Sequence, residues 1–291
     1  MTGNAKWLTP TSGYLQGYSH TLNPYVGCSF GCSYCYVRRM PVGLFRGQPW
    51  GSWAEPRKAD PSKFRVELAR ANQKGPVTVF FSSATDPYQP LEATLGVTRA
   101  LLEAMADEPP AFVLLQTRSA LVTRDIDVLQ RLKGKLRVSM TVETDLEEVR
   151  RELTPSAPPL ASRWSALRRL REAGIDIQAA VSPILPHSAD FAERLAEAVP
   201  RVVVDDYFRG DGSGGKRSAA LDLKSRYEKN GWISWYDPSV AEHLVAKLRS
   251  MMGEASVGFS ADGFAPPRAV LRPYLTEADN GLNTGLKADE T

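Results

Sequence analysis

Cys28, Cys32 and Cys35 are the only cysteines in the chain, and they sit together as C-x3-C-x2-C. Three thiolates this close in sequence can all turn onto one metal centre if the loop between them is permissive, and Gly27 and Gly31 supply that freedom. An odd, clustered set argues against disulfides and for a metal or reactive site. A zinc site or a ferredoxin-type cluster asks for a fourth ligand. There is no fourth cysteine, and the nearest alternative is His20, eight residues upstream of Cys28. Three ligands on a four-iron cluster would instead leave one iron open to bind something else.

The elements that must position such a loop are legible in the periodicity. Short β-branched runs at 77–81, 112–115, 136–142, 175–181 and 202–204 alternate with stretches of helical spacing at 63–73, 91–106, 126–132, 162–173 and 189–198. This alternation predicts βαβ units and a mostly parallel sheet, with strands continuously apolar because both faces are covered. Residues 20–26 add a first strand, which makes about six strand–helix units. Asp125 is expected to cap the 126–132 helix, and Gly134 and Gly174 to follow helix ends. In a βα barrel, reactive groups gather at the C-terminal strand ends. Ser82, Ser83, Thr85, Asp86, Tyr88 and Gln89 fall there, as do Gln116, Thr117, Arg118 and Ser119. Ser139, Thr141 and Glu143 alternate along their strand and so share one face. Asp86-Pro87-Tyr88 reads equally as a turn and as part of a site. Tyr88 and Tyr207 are the catalytic candidates, and Tyr236 is a weaker substrate-side one.

The 291 residues, 43% hydrophobic and 24% charged, exclude disorder and fibrous repeats. No apolar run reaches a membrane span, and the polar start lacks an apolar signal segment, so the expected location is cytoplasmic and membrane-free. A net charge of +3 is too small to imply nucleic acid by itself. With no Pro- or Gly-rich linker, residues 1–291 read as one domain: a core at about 20–210, a C-terminal extension at 211–291 and a frayed tail at 276–291. Residues 209–217 (RGDGSGGKR) read as a flexible loop and a potential lid. Their resemblance to a phosphate loop fails at Arg217, where a Ser or Thr must reach magnesium. The runs at 38–39, 150–151 and 168–171 read as solvated helix faces diluted by nearby acids.

The cysteine loop resembles that of the radical S-adenosylmethionine (AdoMet) superfamily, whose C-x3-C-x-aromatic-C pattern is matched by Cys28, Cys32, Tyr34 and Cys35. Over roughly residues 20–210 the chain is further similar to the spore photoproduct lyase-like branch. That similarity rests on NPYVGCSFGCSYCYVRR (23–39), SSATDPYQPLE (82–92), LLQTRS (114–119), RVSMTVETD (137–145) and AAVSPILP (179–186). The resemblance implies an α/β fold, a partial (β/α)6 TIM-like barrel with extra N- and C-terminal elements. It also implies a [4Fe-4S] cluster whose open iron chelates AdoMet. A flavodoxin- or ferredoxin-type donor reduces that cluster, and a 5′-deoxyadenosyl radical then takes hydrogen from the substrate. By position it places Thr85, Arg118 and Ser139 against AdoMet and Tyr34 near the adenine. Arg118 suits the AdoMet carboxylate, because its guanidinium fork favours bidentate pairing, and Thr141 or Glu143 could meet the ribose or amino group. The plainer readings are core hydroxyls for Ser139 and Thr141 and a structural ion pair for Arg118.

The lyase branch returns a hydrogen atom from a cysteine near the second-strand loop, where this chain has Ser82-Ser83-Ala84-Thr85. A tyrosine, 5′-deoxyadenosine or an external thiol must replace it. The weak net charge favours a small metabolite or nucleoside over a nucleic-acid base, which would have to be flipped or single-stranded to enter. The competing class is a non-catalytic iron–sulfur or zinc protein using the same loop.

Overall fold

The computed structural model describes residues 6–11, 13–15 and 17–271, so the tail expected at 276–291 lies outside the described residues. Its strands are β1 (Thr9–Pro10), β2 (His20–Leu22), β3 (Tyr25–Gly27), β4 (Ala54–Pro56), β5 (Thr78–Phe81), β6 (Phe112–Thr117), β7 (Leu136–Thr141), β8 (Asp176–Val181), β9 (Val202–Val204) and β10 (Val257–Phe259). One sheet runs β1-β2-β5-β6-β7-β8-β9-β10, parallel throughout except for β1, which pairs antiparallel with β2. Among the described residues the two edge strands do not pair, so the barrel is open. Tyr18, just before β2, reaches across the opening and donates its hydroxyl to the Phe264 carbonyl at 2.6 Å.

Alternation divides the side chains between two cores. Val79, Phe81, Val113, Leu115, Val138, Met140, Ile177 and Ala179 point outward into the main apolar layer. Helices Phe64–Asn72, Val97–Asp107, Ile126–Arg131, Leu160–Glu172, Phe191–Ala198 and Ser239–Met252 cover that layer. Leu101, Leu102, Leu167, Leu170 and Leu195 are fully buried on their stripes, each contributing about 1.5–3 kcal/mol. Phe80, Phe112, Leu114, Ala180 and Val203 point inward and join Tyr18 and Phe264 in a smaller plug. Above this plug the inward positions turn polar, and the cavity opens there.

Several expectations need correction. The strand expected at 20–26 breaks at Asn23-Pro24. Pro24 has no N–H for a ladder, and beyond it β3 leaves the sheet to pair with β4. The helix expected at 91–106 is interrupted by left-handed Gly96 (φ 62°) into Glu92–Leu95 and Val97–Asp107. Asp125 makes no side-chain cap; Arg99, Arg124 and Tyr88 take its carboxylate. The 209–217 segment is not an open loop. The Asp211 carboxylate accepts from the backbone of Ser213, Gly215 and Ser218, and residues Lys216–Ala219 are helical. This internal anchoring counts against a lid. Among the described residues no helix is long and apolar enough to cross a membrane.

Candidate active site

A cavity of about 510 Å³ lies at the C-terminal ends of the parallel strands. Cys28, Cys32 and Cys35 line it, together with Tyr34, Ser82, Thr85, Asp86, Gln116, Arg118, Thr141, Asp205 and Tyr207. The cysteine loop holds its shape through two glycines and one arginine. Gly27 (φ 81°) passes so close to Trp53 that an added Cβ would lie far inside contact with the indole. Gly31 (φ 57°) packs on Gly51, where a Cβ would stand 3.0 Å from the Gly51 Cα. Arg38 folds back so that Nε donates to the Cys32 carbonyl at 2.9 Å and Nη2 to that of Gly31. Gly27→Ala combines left-handed strain with the Trp53 clash, and an unfolding-stability loss of about 2 kcal/mol or more is expected. Calorimetry against the wild type checks it, and an unchanged melting temperature would show the loop to be more yielding than this packing implies.

Burial pushes the Cys28 thiol up to about 12 and that of Cys35 to about 11, and neighbouring cysteines add to the rise at both. Cys32 is raised as well, mainly by burial. The opposite wall is built around a carboxylate. Glu143 Oε1 accepts from Arg118 Nη1 at 2.6 Å and from the Tyr34 hydroxyl, and Oε2 accepts from Arg163 Nη1 at 2.6 Å. Burial alone would raise Glu143, but the Arg118 and Arg163 cations outweigh it and hold the carboxyl at about 2. Arg118 Nη1 also bonds the Tyr34 hydroxyl at 2.9 Å. Its other guanidinium nitrogens have no hydrogen-bond partner among the described residues.

The sequence candidates divide by placement. Tyr34, Thr85, Arg118, Thr141 and Tyr207 line the cavity beside the thiols. Thr85 donates to the Gly27 carbonyl and accepts from Gln89 at 3.2 Å, which ties the strand end to the cysteine loop. Tyr207 pairs hydroxyl to hydroxyl with Tyr227 at 2.9 Å. Ser139 and Glu143 share the inward face with Thr141 but stand behind the cavity wall, Ser139 accepting from Gln178 at 3.0 Å. Tyr88 is the correction: it packs in the outer apolar layer with its hydroxyl on Asp125 at 3.0 Å, outside the cavity lining. Tyr236 packs against Tyr207 and Phe208 without lining the cavity. Asp86 is both turn and site. It accepts from the Tyr88 backbone and from Thr117 Oγ1, and it fixes the Arg118 backbone N–H at 2.9 Å. His20 sits at the start of β2, hydrogen-bonded to Ser19 and outside the cavity lining, so it is not the missing fourth ligand.

Arg163 escaped the sequence reading although a signal was present. It occupies the stripe of Ala166, Leu167 and Leu170 on the Leu160–Glu172 helix, and an arginine on a buried stripe needs a buried acid. Ser82 and Gln116 also matter more than their types announced. Ser82 adopts φ 76°, and its Oγ and the Gln116 Oε1 line the cavity without a hydrogen-bond partner. Orphaned polar atoms of this kind call for a polar occupant.

An open, mostly parallel α/β sheet with inward thiols and a carboxylate-bound guanidinium at its C-terminal rim describes an α/β enzyme. Residues 22–199 match the radical SAM superfamily, and the chain belongs to it. An uncharacterised protein of Methanocaldococcus jannaschii is 29% identical over 195 residues, covering 67% of this chain and 71% of that one. A structure of spore photoproduct lyase superposes with a TM-score of 0.61 at 13% identity, covering 89% of this chain and 79% of that one. Another structure of that lyase, with bound AdoMet and dinucleoside spore photoproduct, has a TM-score of 0.59 at 14% identity over 86% and 78% of the two chains. The family implies AdoMet, an iron–sulfur cluster and an external reductant. The residues here fit such groups: three thiols line one cavity, and the unpartnered Ser82 Oγ and Gln116 Oε1 belong to residues lining the same space. Among the described residues no three Cys, His, Asp or Glu side chains converge on a single-ion site.

Proposed function

We propose that the protein carries one [4Fe-4S] cluster on Cys28, Cys32 and Cys35, cleaves AdoMet reductively and acts on a small-molecule substrate in the same cavity. The observation that carries this reading is the placement of all three thiols and of Arg118, with its spare guanidinium nitrogens, on the wall of one 510 Å³ space. When bound, the cluster supplies an electron to AdoMet, releasing methionine and a 5′-deoxyadenosyl radical.

The chain's own groups bind and orient. Arg118 offers a charged fork to the AdoMet carboxylate, while Glu143 fixes its far side. Thr85 and Thr141 present hydroxyls, and Tyr34 presents an aromatic face. In this reading Ser139 and Glu143, which lie outside the cavity lining, act by supporting this wall from behind. Every cysteine is engaged by the cluster loop, so a hydrogen atom cannot return from a protein thiol. Tyr207, which lines the cavity and pairs with Tyr227, is the candidate in this reading. A small substrate is favoured because the net charge is only +3 and the cavity must also admit AdoMet.

Anaerobic reconstitution tests the reading. About four irons per chain and dithionite-dependent formation of 5′-deoxyadenosine are expected. One zinc per chain without cleavage would favour the non-catalytic alternative and overturn the proposal. Deuterated candidate substrates then identify the hydrogen source by label in 5′-deoxyadenosine.

A further inference from the structure

Residues 1–54 contain Lys6, Arg38, Arg39 and Arg46 but no Asp or Glu, the first acid being Glu55. The cysteine loop therefore emerges in a locally basic stretch. The turn Tyr36–Arg39, directly after Cys35, supports two further pieces. The Pro41–Leu44 helix packs on it, so close that a Cβ on Gly43 would meet the Arg38 Cα at 2.8 Å. The Lys216–Ala219 helix packs on it as well, and Arg39 donates to the Ala220 carbonyl. The result is an exposed surface carried by the turn that follows the cysteine loop. Phe45 is 82% exposed and Leu44 is 50% exposed, with exposed Arg39, Arg46 and Lys216 also carried on these pieces. Arg46 is paired with Glu55, whereas Arg39 and Lys216 make no ion pair among the described residues. An exposed aromatic side chain beside two cations that make no ion pair among the described residues suits an acidic partner.

We propose that this patch is the docking surface for an acidic one-electron carrier protein of the ferredoxin or flavodoxin type. The choice rests on charge complementarity and position. Cys35 is the half-buried cysteine, and its carbonyl accepts from the Arg38 backbone within the turn that carries the patch. A carrier seated on Phe45 thus lies against the loop that holds the metal. One electron passes from the reduced carrier to the cluster, and the carrier departs oxidised by one electron. Apolar contact from Phe45 and Leu44 supplies the anchor, while Arg39 and Lys216 steer the encounter. The inference rests on the proposed iron–sulfur function, but its binding component does not need turnover.

The probe is an acidic plant-type ferredoxin, with an Arg39→Glu/Lys216→Glu double variant and a separate Phe45→Ser variant. Calorimetry reads binding of oxidised ferredoxin, and AdoMet cleavage is driven in parallel by reduced ferredoxin and by dithionite. The charge reversal is expected to weaken binding and the ferredoxin-driven rate about tenfold or more, and to remove most of their salt dependence. Phe45→Ser should weaken both at all salt concentrations, and the dithionite-driven rate should not change in either variant. Undiminished ferredoxin binding and rate in both variants would overturn the proposal. So would an equal loss with dithionite. Loss of single-stranded DNA binding with an intact ferredoxin-driven rate would assign the surface to nucleic acid instead. If the wild type binds ferredoxin but never cleaves AdoMet with dithionite, the iron–sulfur function fails and the docking surface stands.

Discussion

Alanine in place of any one of Cys28, Cys32 and Cys35 is expected to remove bound iron and sulfide together and to reduce AdoMet cleavage to the background of the apo-protein. The expectation follows from the absence of any substitute ligand. The chain has no fourth cysteine, and His20 lies at the other end of β2. The two carboxylates nearest the loop are already committed, Glu143 to Arg118, Arg163 and Tyr34, and Asp86 to Thr117 and two backbone N–H groups. With two sulfur ligands and no replacement, the proposed metal centre would lose a corner that the loop cannot refill. Iron and sulfide assays, visible absorption and 5′-deoxyadenosine yield read the effect, with circular dichroism as the check on folding. Wild-type turnover in any one of the three variants contradicts the assignment, because each thiol is required in its own place.

The thiol spacing and the alternation of apolar runs are enough to place the cysteine loop and six strands of a parallel sheet. Local pattern carries that information, since each strand is a β-branched run and each thiol is its own marker. What escaped depends on contacts distant in sequence. β10 is a three-residue Val-Gly-Phe segment whose Gly258 lies against Gly263, and its strand state comes from pairing with β9. Pro24 divided what read as one strand. Tyr88 was placed in the site because it follows a strand end, but the Asx turn at Asp86 swings it behind the sheet. The Asp211-centred turn made a Gly-rich run rigid, against its composition. Glu143 and Arg118 were both found, and an ion pair was the plainer reading of Arg118, but Glu143 as its partner and Arg163 as a second cation were not, because contacts 25 and 20 residues apart leave no local pattern.

That pairing makes Glu143→Ala the substitution with the largest expected effect on stability. The Arg163 side chain is fully buried and that of Arg118, on the cavity wall, is 14% exposed, so removing the carboxylate leaves one cation without a counter-charge away from water and a second one only partly solvated. Breaking a buried pair in this way costs about 3–5 kcal/mol, a large part of the ~5–15 kcal/mol margin of a typical domain. Glu143→Gln keeps the shape and one acceptor, and should cost less while still releasing the Tyr34 hydroxyl and Arg118. Both variants are also expected to bind AdoMet less well, since the guanidinium fork is no longer held. The acid limb supplies an independent check. Folding lowers the Glu143 pKa from the ordinary 4.5 to about 2, so the ionised carboxylate contributes fully above pH ~4.5. That contribution disappears as pH falls towards 2, and the stability gap between wild type and Glu143→Gln should narrow over the same interval. Denaturant unfolding from pH 7 downward measures it. A gap that stays constant with pH would show that the carboxylate is not held by these arginines, and the wall built on Arg118 would lose its support.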